Sequence, residues 1–282
     1  MAHRWILRKG TKDSGFRYVT EGGKAVRLAK ELQRIDVLRI PPAWREVHIA
    51  ASERSAVQAW GLDVKGRKQY RYHQRAVDRG SSRKYYRVRR LGRDLPRIRE
   101  ALAKDMGGQE LTQRRVTAGV VRLISDGFFR VGSERYAKEN KTFGVSTMLK
   151  SHVRVKRDLV EFVYIGKRNI EQWQVIVDRD LAKFITDLLK TPGPRLFRYF
   201  GEDGWSDVNA RDVNEYIKEI TGVRYSAKDF RTWGGTLRLA TVLADLGVPK
   251  KARERKKNIV TAIRLVAAEL GNTPAICRKS YV

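Results

Sequence analysis

The sequence predicts an α+β protein of two domains. A small N-terminal antiparallel β-sheet domain with helices spans residues 1–92, and a larger, mainly α-helical domain holding a short β-hairpin spans 93–282. Three observations carry this expectation. Alternating apolar and polar residues between closely spaced turn signals dominate the first part, apolar spacing near 3.6 dominates the second, and one pair of β-patterned runs, seven and eight residues long, interrupts the helices.

In the first part, Gly15-Phe16-Arg17-Tyr18-Val19-Thr20 alternates and is followed by Gly22-Gly23. Val37-Leu38-Arg39-Ile40 runs into Pro41-Pro42, and Val47-His48-Ile49-Ala50 follows. Ala56–Trp60 and Gln69–His73 flank a turn region from Gly61 to Gly66, which predicts a hairpin. One helix is expected near Lys24–Gln33. The change of pattern near Leu91–Pro96 sets the expected boundary. Beyond it, Val116, Val120, Leu123, Ile124 and Phe128 recur at helical spacing, as do Leu181, Phe184, Ile185 and Leu188, and again Val213, Tyr216, Ile217 and Ile220 before Gly222. Ser226 reads as the N-cap of a helix to about Leu246, and a further helix runs from about Arg253 to Leu270, ended by Gly271. Leu159–Ile165 and Ile170–Val177 are the two strands of the hairpin, with Lys167 at its turn.

The chain of 282 residues carries 60 Lys+Arg against 31 Asp+Glu, a formal charge of +29. That balance attracts polyanions and points to nucleic acid. Hydrophobic residues reach 41%, enough for packed cores. Cys277 is the sole cysteine, which excludes an internal disulfide and fits a reduced, cytoplasmic, nucleoid-associated setting. Four histidines offer little for a metal site, and neither a metal nor another cofactor is expected. No run resembles a signal peptide or a membrane span of ~20 apolar residues.

From Lys65 to Arg99 the bias is extreme: 14 Lys/Arg against Asp78 and Asp94, interleaved with Tyr70, Tyr72, Tyr85 and Tyr86. A solvated face mixes both signs, so this stretch reads as a phosphate-contact surface with tyrosines for bases or sugars, though a basic interdomain helix fits its second half. Further along, Arg130 follows Gly127-Phe128-Phe129, with Arg135 and Tyr136 close behind. Arg231 falls on the first turns of a helix within Lys228-Asp229-Phe230-Arg231-Thr232, and the chain closes on Asn272 and Tyr281. Taken singly, an arginine at a helix end, a hairpin lysine and an Asn after a Gly are ordinary features. Only Val282 follows Tyr281, and such a terminal residue is expected to fray.

In this order the segments resemble the type IB DNA topoisomerases, especially the small bacterial and poxvirus-like members. The resemblance rests on Leu38-Arg39-Ile40-Pro41-Pro42-Ala43-Trp44, Lys65-Gly66-Arg67-Lys68-Gln69-Tyr70-Arg71-Tyr72-His73, Arg130, Gly166-Lys167, Lys228–Thr232 and the Asn272–Tyr281 tail. It implies that Tyr281 attacks a phosphodiester of duplex DNA, leaving a 3′-phosphotyrosyl bond that conserves bond energy and needs no ATP. Arg130 and Arg231 would stabilise the non-bridging oxygens, Lys167 would protonate the departing 5′ oxygen with help from Arg130, and Asn272 would donate a hydrogen bond. Many relatives carry histidine at the Asn272 position; an amide donates but transfers no proton. The resemblance further implies a monomer that closes as a clamp on supercoiled duplex DNA. Arg67, Lys68, Gln69, Tyr70 and Tyr72 would face a groove, with Arg135 and Tyr136 along the backbone.

Two alternatives stand beside it. A tyrosine recombinase shares the nucleophile, but recombinases commonly have histidine where this chain has Lys228, and a helical N-terminal domain where this chain has strands. A non-catalytic DNA-binding protein is the other, against which all five catalytic positions hold competent residue types.

Overall fold

The computed structural model describes residues 4–281. Its contacts divide the chain into two compact units, Met1–Tyr85 and Tyr86–Val282.

In the first unit, β1 (Trp5–Thr11), β2 (Gly15–Thr20), β3 (Arg45–Ala50), β4 (Val57–Leu62) and β5 (Lys68–Tyr72) form an antiparallel sheet in the order β2-β1-β3-β4-β5. Alternation sends Ile6, Val47, Ile49 and Ala59 to one face, where they bury with Ile35 of α1 (Ala29–Val37). The opposite face carries an aromatic row, with His48 stacked on Trp60 at 4.0 Å and Trp5 edge-on to both.

Three local expectations are corrected here. The helix lies five residues later than Lys24–Gln33 suggested, because residues 24–26 are held extended against β2: Val26 N–H donates to Tyr18 O, and Val19 bridges Ala25. Val37–Ile40 is not a strand; Val37 ends α1 and Leu38 caps it, so the apolar run packs as a helix end before the two prolines. Strand β1 was not expected at all, since Arg8 and Lys9 interrupt its pattern; its partners β2 and β3 supply the order.

Helix α2 (Gln74–Met106) contains both the division between units and Pro96, the end of the Leu91–Pro96 stretch where the sequence pattern changes. A proline inside a helix removes one backbone hydrogen bond, and Leu91, Leu95, Ile98 and Leu102 keep the helix seated on either side of it. After α2 come α3 (Gln113–Gly127), α4 (Glu134–Asn140), β6 (Val153–Lys156), β7 (Leu159–Gly166), β8 (Ile170–Val177), α5 (Arg179–Leu189), β9 (Arg198–Gly201), β10 (Gly204–Asp207), α6 (Ala210–Thr221), α7 (Ala227–Asp245), α8 (Ala252–Glu269) and α9 (Pro274–Tyr281). The expected hairpin is β7–β8, paired from Leu159↔Val177 to Gly166↔Ile170. β6 extends it, and β9–β10 forms a separate ribbon that the sequence reading did not anticipate.

The main core joins Val116, Val120, Leu123 and Ile124 of α3 to Phe162 of β7, Phe184 of α5, Ile217 of α6 and Phe230 of α7. A second cluster gathers Leu239, Ile263, Val266, Leu270, Cys277 and Tyr281 from α7, α8 and α9. The tyrosine therefore belongs to a packed core. The expected fraying does not occur.

Candidate active site

Tyr281 ends α9, a helix that leaves the line of α8 with a bend of 95°. The bend is built from Gly271, left-handed at φ 56°, and from Thr273, whose hydroxyl accepts from Ile276 N–H just before Pro274 opens the helix. The tyrosine is 7% exposed. Its Cβ lies against Gly235 of α7, where a side-chain Cβ would come within 2.8 Å of it.

Arg231 reaches from α7 to the carbonyls of Leu270, at the end of α8, and Phe128, at the end of α3. Phe128 is itself left-handed and lays its ring on Gly234, so the loop carrying Arg130 is pinned to the helix carrying Arg231. Arg130 donates to Asn272 Oδ1 at 2.8 Å and to Gly271 O at 3.3 Å. Both arginines thus grip the α8–α9 bend, a helix C-terminus whose free carbonyls suit cations. Upstream, Asp229 holds the start of α7 by accepting from the Ser226 N–H and hydroxyl, and it pairs with Arg87.

These charges act on the phenol. Burial pushes the Tyr281 hydroxyl up, but the neighbouring Arg231 and then the Arg130 charge outweigh burial and hold it below its ordinary value. Arg231 is itself lowered, by burial and then by Arg130. Tyr164 of β7 shows the contrast: burial drives it up to about 12, against the same two arginines. Two buried donors, Arg231 Nε and Asn272 Nδ2, lack an acceptor within the protein. Such donors are costly unless an acceptor comes to them.

Four of the five residues singled out in the sequence, Arg130, Arg231, Asn272 and Tyr281, are therefore gathered. Lys167 is not among them. It sits exposed at the hairpin tip, where Arg168 and Asn169 are both left-handed. The base of that tip nevertheless adjoins the bend, because Gln172 of β8 packs against both Gly166 and Gly271; a Cβ on either glycine would come 2.8 Å and 2.6 Å from its side chain. Sequence reading passed over Gln172, Gly235, Thr236 and Tyr164, which carry no motif by themselves. Among the described residues no three His, Cys, Asp or Glu side chains come together as a metal-holding group.

In the first unit, alternation along β5 places Lys68, Tyr70 and Tyr72 on the aromatic face. Lys68 Nζ lies 3.7 Å from the Trp60 ring centre, and Tyr70 and Tyr72 stack at 5.8 Å. Gln69 faces the other way and donates to Asp63 Oδ2, and Arg67 is tied to the same carboxylate. Those two contacts, the Arg67 hydrogen bond first, hold Asp63 down at about 2. Arg135, paired with Glu139, and the half-exposed Tyr136 lie on α4 of the second unit.

Residues 66–281 match the sequence model of the family described as eukaryotic DNA topoisomerase I, catalytic core. Residues 15–63 match that of the bacterial DNA topoisomerase IB, N-terminal domain. The chain is 34% identical over 285 residues to DNA topoisomerase 1B of Acanthamoeba polyphaga mimivirus, covering 98% of this chain and 84% of the relative. It is 26% identical to DNA topoisomerase I of Monkeypox virus, over 79% of this chain and 68% of the relative. Against DNA topoisomerase 1 beta of Arabidopsis thaliana the identity is 25%, over 60% and 18%. Two family matches that between them run from residue 15 to residue 281 place the chain: it belongs to the type IB DNA topoisomerases.

Proposed function

We propose that this chain relaxes supercoiled duplex DNA by nicking one strand at a time through Tyr281. The phenolate oxygen attacks phosphorus, a P–O(Tyr) bond forms, the P–O5′ bond breaks, and the 5′ oxygen leaves with a proton from Lys167. Rotation of the free end releases supercoils, and attack by the 5′-hydroxyl reverses the bonds without ATP. The observation that carries this reading is the pair of buried donors without acceptors, Arg231 Nε and Asn272 Nδ2, on two residues that adjoin a phenol shifted toward phenolate. Phosphoryl oxygens supply the missing acceptors, and guanidinium N–H groups are suited to the charge that grows there.

In this proposal the exposed Lys68, Tyr70 and Tyr72 meet the duplex from the first unit, and Arg135 and Tyr136 contact backbone from the second. Arg67 and Gln69 order the β4–β5 turn through Asp63, and they reach DNA only by exchanging that partner. The protein acts as a monomer that closes on the duplex, in the cytoplasm with the nucleoid. Relaxation of supercoiled plasmid tests the reading. It should proceed without ATP and in EDTA, and Tyr281→Phe should abolish both relaxation and the covalent adduct while duplex binding persists. A strict requirement for ATP or a divalent cation, or an active phenylalanine variant, would remove it.

A further inference from the structure

We propose that the exposed tip joining α7 to α8 is a second phosphate-contact surface, one that grips the duplex away from the cleaved bond. The inference rests on the DNA reading above.

Six cations, Lys250, Lys251, Arg253, Arg255, Lys256 and Lys257, fall within eight residues whose only acid is Glu254. All six are exposed, and none is in an ion pair among the described residues. They crowd the first two turns of α8, where the helix dipole disfavours positive charge, and the N-cap Lys251 offers no side-chain cap. The neighbouring α9 has the opposite, favourable arrangement, with Arg278 and Lys279 in its last turn. Among the described residues no ion pair offsets the placement at α8. A polyanion would.

The tip also runs past the packed body. Arg255 and Ile259 lie on the same helical stripe as Ala262, Ile263 and Val266, which are buried, yet Arg255 is exposed and Ile259 is 39% exposed. Val248, in the connection itself, is 96% exposed. Cations are therefore displayed around the helix rather than along one solvated face.

The place in the fold indicates which DNA is held. The other end of α8 carries the Leu270 and Gly271 carbonyls that Arg231 and Arg130 grip. Eighteen residues at 1.5 Å each set the tip about 27 Å from the catalytic bend. Along B-DNA that distance is about eight base pairs at 3.4 Å each. The contact would thus be made with an arm of the same duplex, remote from the scissile phosphate.

Equilibrium binding against salt tests this, in the Tyr281→Phe background so that no strand is cut. The variant carrying Lys250→Gln, Arg253→Gln, Arg255→Gln, Lys256→Gln and Lys257→Gln keeps helix propensity and removes charge. On a duplex with twenty base pairs on each side of the cleavage site, its salt slope should fall by about 2 or more, at ~0.9 per lost contact, with affinity roughly tenfold weaker. On a duplex trimmed to five base pairs on each side, the two proteins should bind alike. A control carrying Lys250→Arg, Lys256→Arg and Lys257→Arg in place of the glutamines, with Arg253 and Arg255 kept, should bind the long duplex as the parent does. An unchanged slope on the long duplex overturns the proposal, as does an equal loss on the trimmed one, which would signal a damaged fold or a contact near the cut. If the parent protein binds neither duplex, the DNA reading itself fails instead.

Discussion

The hydroxyl of Thr236 donates a 2.6 Å hydrogen bond to the backbone carbonyl of Tyr281. That carbonyl belongs to the last described turn of α9. Thr236 therefore anchors the backbone of the proposed nucleophile to α7, five residues beyond Arg231 on the same helix. Thr236→Val keeps the shape and removes the donor. A single hydrogen bond of this kind contributes about 1 kcal/mol, so a small fall in thermal stability is expected. Single-turnover adduct formation should fall more, by roughly tenfold, with duplex affinity unchanged. Equal losses in binding and cleavage would count against an anchoring role.

Gly235 makes the approach of α9 possible. A methyl there would meet Tyr281 Cβ at 2.8 Å and Leu270 Cδ1 at 3.1 Å; the leucine methyl can turn away, but the Tyr281 Cβ is fixed to the α9 backbone. Overpacking of this kind costs about 1–3 kcal/mol. Gly235→Ala is expected to lower the melting temperature and to remove most cleavage, with the salt dependence of DNA binding as in the parent. A variant that cleaves normally would mean that α9 does not hold this position when the reaction occurs.

Arg130, Arg231, Asn272 and Tyr281, read in the sequence only as residue types in order along the chain, are brought together by the fold, and Lys167 stands apart at its hairpin tip. Helices α3, α5, α6, α7 and α8 and the β7–β8 hairpin are legible from periodicity, whereas the short helices α4 and α9 are not. What could not be read is whatever depends on a distant partner. Strand β1, with its charged Arg8 and Lys9, is ordered by pairing with β2 and β3. The stretch before α1 looks helical in isolation and is held extended by Tyr18 and Val19. The tail reads as a frayed end, and distant partners on α7, Gly235, the Thr236 hydroxyl some 45 residues upstream and Leu239, help make Tyr281 part of a core. The Gln69 side chain follows the same logic, since β5 alternation and Asp63 decide which face it takes.

The two tyrosines near Arg231 should titrate in opposite senses. Tyr281 is held below its ordinary value near 10, so between its folded pKa and ~10 the unfolded chain binds more protons and stability rises with pH. That contribution is complete above ~pH 10 and is lost as pH falls through the folded pKa. Tyr164 is pushed up to about 12, so its contribution is complete below ~10 and is lost as pH rises through 12. Unfolding measured against pH in Tyr281→Phe and Tyr164→Phe should show the parent's alkaline slope displaced in opposite directions. Phenolate absorbance lost in the Tyr281→Phe difference titration should have its midpoint below 10; a midpoint above 10 would contradict the arginine effect.

Lys167 is the remaining member of the set, and Gln172 links its hairpin to the catalytic bend. If Lys167 supplies the proton to the 5′ oxygen, Lys167→Ala should cut slowly on an ordinary phosphodiester. It should recover on a substrate whose 5′ bridging atom is sulfur, a leaving group that needs no proton. Gln172→Ala opens the space between Gly166 and Gly271. It should produce the same pattern in weaker form, with a deficit of roughly tenfold on oxygen and little on sulfur. Gly271→Ala differs, because a left-handed residue with a Cβ costs about 1–2 kcal/mol and displaces the bend that Arg130 and Arg231 hold. Its cleavage defect should persist with sulfur, since in the proposed mechanism the arginines act on the non-bridging oxygens in both substrates. Rescue of Gly271→Ala by sulfur, or failure of Lys167→Ala to recover, would reassign the proton donor.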